Sequence, residues 1–495
     1  MTSQFTITET TVADVHRAMA AGELTSRELV ESYLERIDAI DRDGPALNAV
    51  VTVNPHALER ADALDEEYAE NGPTGPLHGI PILVKDQAET AGITTTFGST
   101  AFAEYVPEED ATVVRALTDA GAIVLAKTNL PDWASSWFGT SSALGRTKNP
   151  YDLERDAGGS SAGTGAGVAA NLGTVGLGED TGGSIRVPAS FCNLFGVRVT
   201  TGLVSRTGLS PLVTRQDTAG PMARTVEDLA LVLDAIVGYD PADEWTVATE
   251  LASLEGSYTD RLDADALEGA RIGVLRDAFG PEDDPDAISV TAVVEDAMAA
   301  MADAGAELVD PVEVSRLEER IEETMLYVLQ SKHDIDAFLA DRDVPVGSVE
   351  ELYETGQYHE DLDLFEAFAE GPADPTEEPD YWRRVAAQES FRLALLGPFA
   401  DHDLDALVFP DVQVLPPTET DLEEKYTTAD FPTNTVIASQ ALCPAVSVPG
   451  GLTDDGVPVG VELLGKPYDE GRLLELAYAY EQAADPRTPP ELPTA

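Results

Sequence analysis

Two runs of glycine and hydroxyl residues carry the side chains for nucleophilic chemistry: Gly158-Gly159-Ser160-Ser161-Ala162-Gly163 and Gly178-Glu179-Asp180-Thr181-Gly182-Gly183-Ser184-Ile185-Arg186. A serine hydroxyl needs a base before it attacks a carbonyl, and the oxyanion it creates needs backbone N–H groups to hold it. Several chemistries compete for such runs. A P-loop requires Lys followed by Ser or Thr after its last glycine, and neither run has that pair. Gly165-Ala166-Gly167-Val168-Ala169-Ala170 fits a loose dinucleotide fingerprint, but Tyr151 to Gly159 before it is polar rather than an apolar strand. The elbow of an α/β-hydrolase is matched in form by Gly159 to Gly163, with Ser161 as nucleophile and His333, His359 or His402 as base. That elbow also needs an apolar strand directly before it, and Asp152-Leu153-Glu154-Arg155-Asp156 is not one. A third chemistry uses no histidine: a lysine serves as base when burial favours its neutral form. Lys85 is the candidate, one of six lysines, directly after the apolar run Ile80-Pro81-Ile82-Leu83-Val84. Taken alone, Lys85 reads better as a strand-end residue that reaches solvent or pairs with Asp86. Thr181-Gly182-Gly183-Ser184 is a turn suited to an oxyanion.

Taken together, these residues resemble the amidase signature family of serine hydrolases. The family pattern is a Lys after an apolar strand, then Gly-Gly-Ser-Ser, then Gly-x-Asp-x-Gly-Gly-Ser-Ile-Arg. The chain carries Lys85, then Gly158 to Ser161, then Gly178 to Arg186, with the two serines 24 positions apart at 160 and 184. Pro188 to Cys192, Gln216 to Thr225 and Cys443 to Pro449 extend the match, which spans about residues 10–485 and is weakest at 240–430. The resemblance implies a fold of the α/β class: one large domain whose twisted mixed β-sheet core is surrounded by helices. It implies Ser184 as nucleophile, Ser160 as a bridging serine on a non-proline cis peptide after Gly159, and Lys85 as base. The N–H groups of Thr181, Gly182, Gly183 and Ser184 are then the oxyanion hole. Ser161 props the loop, and Asp180 and Arg186 are structural supports rather than reacting groups. Neither a metal nor an organic cofactor is implied, and the six histidines form no HExxH-type cluster.

Three positions depart from the family pattern. Ala162-Gly163 stands where Gly-Gly is common, Glu179 replaces the usual Thr, and Arg198-Val199 stands where Lys-Pro is common. None removes a reacting atom, so they bear on substrate rather than mechanism. The resembling family contains stand-alone amidases and the glutaminase (A) subunit of a tRNA-dependent amidotransferase. Arg215-Gln216-Asp217-Thr218-Ala219-Gly220-Pro221 looks like the stand-alone members. The expected function is therefore hydrolysis of a small-molecule carboxylic amide through an acyl-enzyme; the alternative is the glutaminase subunit. Amidotransferase partner subunits enter only under that alternative, and a homo-oligomer is left open. A silent binding protein on the same fold is the third class; intact Lys85, Ser160 and Ser184 argue against it.

The elements that position these groups follow from caps and periodicity. Thr25-Ser26-Arg27-Glu28 is a capping box before Leu29, Val30, Tyr33, Leu34 and Ile37 at helical spacing. A second helix runs from Pro55 to Asn71-Gly72. Ile80 to Val84 reads as a buried strand, with Pro81 placing it at a sheet edge or Pro81 at its beginning. A helix at 111–120 and a strand at 121–126 give α/β grammar. Further strands are expected at 271–275, 406–409, 445–448 and 459–463, and helices at 225–237, 287–304 and 469–484. The segments are a helical N-terminus of about 5–72, a Ser/Gly catalytic core of about 75–240, a variable region of about 241–430 and a C-terminal sheet and helix of about 431–485. The stretch 340–385 reads as surface helices and loops of a lid or insertion. Loops between 90–140 and the 310–435 region would wall the substrate pocket, with Trp133, Trp137 and Phe138 candidates for its lining or for the core.

Composition bounds the setting. The chain has 495 residues, 43% of them hydrophobic, enough for a large core. At about 150 residues per domain the length suggests roughly three domains or one large α/β unit. Cys192 and Cys443 allow at most one bridge. The first six residues show no basic, apolar leader, and no run of about 18 apolar residues exists to span a membrane. A soluble cytoplasmic protein is expected. Lys plus Arg is 30 against 91 Asp plus Glu, a net charge of −61, which repels phosphate backbones and argues against direct nucleic-acid binding. Acids run through the whole chain, and only six of the 30 basic residues are lysine. That composition resembles cytoplasmic proteins of salt-accumulating halophiles, whose self-repulsion molar salt screens.

Overall fold

The computed structural model describes residues 5–250, 252 and 256–492. The reading of a missing leader rests partly on residues 1–4, which lie outside the described residues. So do four positions of the variable region, residues 251 and 253–255.

The strands in chain order are β1 (Val50–Val53), β2 (Pro81–Lys85), β3 (Ile123–Thr128), β4 (Thr140–Ser141), β5 (Gly145–Arg146), β6 (Val175–Asp180) and β7 (Phe195–Arg198). They continue with β8 (Thr218–Ala223), β9 (Arg271–Leu275), β10 (Glu307–Val312), β11 (Ala406–Pro410), β12 (Ala445–Leu452) and β13 (Pro458–Leu464). Among the described residues, eleven of them join one sheet in the order β1-β3-β2-β6-β8-β7-β12-β13-β11-β9-β10, while β4 and β5 form a separate hairpin. The sheet is mixed: β2 runs parallel to β3 and β6, and β6 antiparallel to β8. This is the expected α/β class, with helices around one mixed sheet. No helix among the described residues is long and apolar enough to cross a membrane.

Local signals explain most elements. Thr25 closes its capping box with Glu28 and starts the helix Ser26–Arg36. Thr225 caps the helix Val226–Ile236, and Asp284 with Pro285 starts the helix Pro285–Asp303. Pro81 is the first residue of β2, as expected from its missing N–H, but β2 is not an edge strand; it lies between β3 and β6. Strands β2, β3 and β6 are buried along their whole lengths. Strands covered on both faces read as unbroken apolar or small-residue runs, not as alternation.

One stretch carries elements that its sequence does not signal, and one expectation needs correction. The Gly/Ser-rich stretch 157–210 shows little periodicity, yet it contains the helices Ala162–Ala169 and Arg186–Phe191 together with β6 and β7. Every residue from Asp156 to Ser205 is buried, so no polar face exists to create a period. The stretch 340–385 forms short helices, among them Val349–Thr355 and Asp363–Ala369, but it is not merely a surface layer. Val349, Leu352, Phe365 and Phe368 are fully buried in a cluster that also contains Phe97, Trp133 and Trp137.

Candidate active site

Lys85 ends β2, and Glu179 and Asp180 end the parallel neighbour β6, so all three emerge at the carboxyl end of the same sheet. That edge is where ligands bind in open α/β sheets. The Lys85 side chain is buried, and its Nζ lies 2.8 Å from Ser160 Oγ, 3.3 Å from the Glu179 carbonyl oxygen and 3.4 Å from Glu179 Oε2. Asp86, the alternative partner, instead pairs at 3.0 Å with Lys127, a second buried lysine. Burial, the strongest influence, lowers the Lys85 ammonium below its usual range, while the carboxylate of Glu179 opposes that shift.

Ser160 sits in the loop between the hairpin region and the helix Ala162–Ala169, and the Gly159–Ser160 peptide bond is cis. Ser161 Oγ donates to the Glu179 carbonyl at 3.2 Å and accepts the Glu179 N–H at 3.3 Å. Its N–H donates to the Ser184 carbonyl at 3.1 Å, which ties the two serine segments together. No hydrogen bond joins Ser160 Oγ to Ser184 Oγ among the described residues.

Thr181 to Ser184 form a tight turn between β6 and the helix Arg186–Phe191. Among the described residues the N–H groups of Thr181, Gly182, Gly183 and Ser184 donate to no protein acceptor, whereas the next one, Ile185, donates to Asp180 Oδ2 at 3.2 Å. Glycine is required here by close approach. A Cβ on Gly182 would collide with the Tyr327 hydroxyl, and one on Gly183, at φ +145°, with Thr435 Oγ1. A small pocket opens beside Ser184, walled by Ala134, Trp137, Leu212, Tyr327, Leu364 and Thr428. Both segments expected to wall the pocket contribute. The three aromatic candidates separate: Trp137 lines the pocket with its indole N–H on the Thr428 carbonyl at 3.0 Å, Trp133 stacks on Phe97 in the core, and Phe138 packs edge-on against Phe431.

Asp180 and Arg186 do not face this pocket. The Arg186 guanidinium donates to both Asp180 oxygens at 3.1 Å, to Glu462 Oε1 at 2.7 Å and to Ser439 Oγ at 2.7 Å. Arg198 adds a 2.8 Å contact to Asp180 Oδ1. Burial alone would raise the Asp180 carboxyl, but the two guanidiniums outweigh it and hold it well below the usual carboxylate range. This network bolts the turn to β13, so Arg198, one of the departures from the family pattern, has a place in it.

The structure gives the elbow reading of Ser161 no support. Its hydroxyl is engaged by the Glu179 backbone, and among the described residues it makes no hydrogen bond to any of its proposed bases. His333 is exposed with Nδ1 on the Ala373 carbonyl, His359 pairs with Asp361, and His402 ends the helix Tyr381–His402. The loose dinucleotide match lies inside the helix Ala162–Ala169 and its end, with no strand leading into it. Among the described residues, no group of three or more His, Cys, Asp or Glu is placed to hold a metal ion. Cys192 and Cys443 are buried free thiols.

Three residues at the site carry no sequence signal of their function. Glu179 reads only as a departure, yet its carboxyl group faces Lys85. Asp217 accepts the Thr181 hydroxyl at 2.6 Å, and Tyr327 presents at Gly182 a buried hydroxyl without a partner among the described residues. The Gln216 to Thr225 segment of the resemblance contains Asp217; nothing local could have marked Tyr327.

Comparison with known proteins agrees with this architecture. A family model described as Amidase matches residues 28–474. The chain is 34% identical to the (A) subunit of a Glutamyl-tRNA(Gln) amidotransferase from Caldanaerobacter subterraneus, over 96% of each chain. Among solved structures it resembles the native peptide amidase from Stenotrophomonas maltophilia, at 38% identity and a TM-score of 0.86, over 98% of this chain and 99% of that one. It also resembles the (A) subunit of the Glutamyl-tRNA(Gln) amidotransferase from Thermotoga maritima, at 26% identity and a TM-score of 0.79, over 99% of each. Fold and relatives together define an enzyme that hydrolyses carbon–nitrogen bonds of amides. The chain belongs to the amidase signature family.

Proposed function

We propose that the chain cleaves its amide through an acyl-enzyme on Ser184, with Ser160 and Lys85 relaying protons. The observation that carries this reading is the 2.8 Å contact between Lys85 Nζ and Ser160 Oγ, next to a turn whose N–H groups remain free beside Ser184. In the first step the neutral amine of Lys85 takes the Ser160 proton, Ser160 takes that of Ser184, and Ser184 Oγ attacks the carbonyl carbon. The oxyanion is held by the N–H groups of Thr181 to Ser184, already oriented and shielded from water. Ser160 then returns a proton to the leaving nitrogen, and water releases the acid. Because Ser160 and Ser184 make no hydrogen bond here, the relay closes when the substrate carbonyl draws Ser184 into line.

For the amide itself, the relatives support the glutaminase reading more than the stand-alone amidase suggested by Arg215 to Pro221. The curated relative matched over nearly the whole chain is an amidotransferase (A) subunit. In that reading glutamine is the substrate and partner subunits receive the ammonia. One observation favours the second reading: the peptide amidase is the nearer of the two solved structures reported above, in both identity and TM-score. The two are separated by offering the purified chain glutamine, an amidated peptide and simple aliphatic and aryl amides in molar salt, and measuring ammonia. Turnover of glutamine above the other amides is expected for the amidotransferase subunit. Turnover of peptide or simple amides with glutamine inert contradicts it and assigns a stand-alone amidase.

A further inference from the structure

Glu179 is fully buried beside the proposed base, and its hydrogen-bond geometry does not fit a bare carboxylate. Thr181 has a single hydroxyl hydrogen, and its Oγ lies 2.6 Å from Asp217 Oδ1 and 3.2 Å from Glu179 Oε1. Asp217 also accepts the N–H groups of Leu212 and Val213, both at 3.1 Å, so three donors satisfy it as a carboxylate. With the Thr181 hydrogen given to Asp217, the contact to Glu179 is a hydrogen bond only if Glu179 is the donor. On its other side Glu179 Oε2 lies 3.4 Å from Lys85 Nζ. A neutral amine has one lone pair and two hydrogens. Lys85 has three contacts, which an amine meets with its lone pair on Ser160 Oγ and its hydrogens on the Glu179 carbonyl and carboxyl oxygens; an ammonium would meet the same three as a donor, so the Thr181 contact is the one that distinguishes the two.

We propose that Glu179 is a positioning residue for Lys85: its carboxyl group takes up the Nζ proton inside the closed site and so leaves a free amine facing Ser160. The proposal rests on Lys85 as the base. In the step, one N–H bond of the ammonium breaks and one O–H bond forms on the carboxylate. Ammonium and carboxylate become amine and carboxylic acid, with no change in net charge and no proton from solvent. Two buried charges are thereby replaced by two neutral, hydrogen-bonded groups, which avoids the desolvation cost of the ion pair. The other charged and titratable groups around the pair are Asp180, Asp217, Arg186, Arg198 and Tyr327. Asp180 is neutralised by its two arginines; Asp217 is the other acid nearby, pushed up by burial while its hydrogen bonds from Thr181, Val213 and Leu212 oppose that shift. Burial raises the Glu179 carboxyl to about 8, with Lys85 opposing the shift.

The expected pH dependence follows. With Glu179 holding the proton, the acid limb of kcat/KM marks protonation of the Lys85 amine beside an uncharged carboxyl group, and an uncharged amide at 179 leaves that environment unchanged. Glu179→Gln is therefore expected to keep the acid limb within about 0.5 unit of the parent's, whereas loss of a close ionised carboxylate would move it to lower pH by about 1–3 units. Glu179→Thr is measured alongside, so that failure of one variant to fold leaves the other to read, and melting curves verify that each is folded. An infrared difference spectrum, parent minus Glu179→Gln, should show a protonated-carboxyl stretch lost in the variant. An acid limb moved to lower pH by about 1–3 units in a folded neutral variant, or no such band in the parent, overturns the proposal. Full activity in a folded Lys85→Ala chain would instead overturn the assignment of the base.

Discussion

Replacing Lys85 by alanine is expected to lower kcat/KM by about 10⁴–10⁶-fold, the range seen when one member of a coupled nucleophilic relay is removed. Without the Lys85 amine, Ser160 Oγ has no hydrogen-bonded base among the described residues: Lys85 Nζ is its side-chain partner there, and the Glu179 carboxyl is hydrogen-bonded to Lys85. Arginine should not rescue the activity, because its guanidinium stays protonated. The loss should be chemical, not structural. Glu179 loses its cation but remains neutral as an acid, and Lys85→Met, which fills most of the same volume, should be equally inactive. Rates for the alanine, methionine and arginine variants, each with a melting curve, check this. Near-normal turnover in a folded alanine variant would exclude Lys85 as the base.

Dialysis into dilute buffer is expected to unfold and inactivate the chain, and molar KCl or NaCl to restore it. Net charge −61 on 495 residues places like charges close together over the surface. The buried cations do not relieve this: Lys85, Lys127, Arg186 and Arg198 are inside, each with a buried acid as partner. At about 0.1 M salt the Debye length is roughly 10 Å, of the same order as the mean spacing of 91 acids over 18358 Å² of surface, and at 1 M it is roughly 3 Å. Screening therefore removes most of the repulsion that opposes the compact state. The proton transfers are buried and local, so the rate per folded molecule should vary little with salt. Thermal melts between 0.1 M and 3 M KCl read the effect. A melting temperature that is flat or falls across that range would contradict the halophilic reading and leave the amidase chemistry untouched.

What the sequence discloses and what it hides divides along physical lines. β2 is legible because a short, apolar, β-branched run has few other readings, though Lys85 at its end reads by itself as an ordinary strand-end lysine, and Thr25 and Thr225 announce their helices by side-chain caps. β6, β7 and the helices beginning at Ala162 and Arg186 are silent because total burial leaves no periodic contrast. The helices of 340–385 hide their buried face because it is assembled from scattered residues, Leu352, Phe365 and Phe368, across short segments broken by acidic turns. The proposed reacting groups are legible only jointly, through the spacing of Lys85, Ser160 and Ser184. Glu179 is different. Its local context marks it only as an unusual residue; its partner, Lys85, is 94 positions away, and only the parallel pairing of β2 with β6 brings the two side chains together. Tyr327 likewise reaches Gly182 from a helix that no local pattern ties to the Ser/Gly segments.

The central claim is that Ser184, and neither Ser160 nor Ser161, carries the acyl group. A fluorophosphonate probe, followed by peptide mapping, tests it most directly. Cleavage after Arg155 and Arg186 places all three serines on one peptide, so fragmentation must locate the adduct within it. The adduct is expected on Ser184, and it should vanish in Ser184→Ala. An adduct on Ser160 or Ser161 in the parent protein would contradict the account.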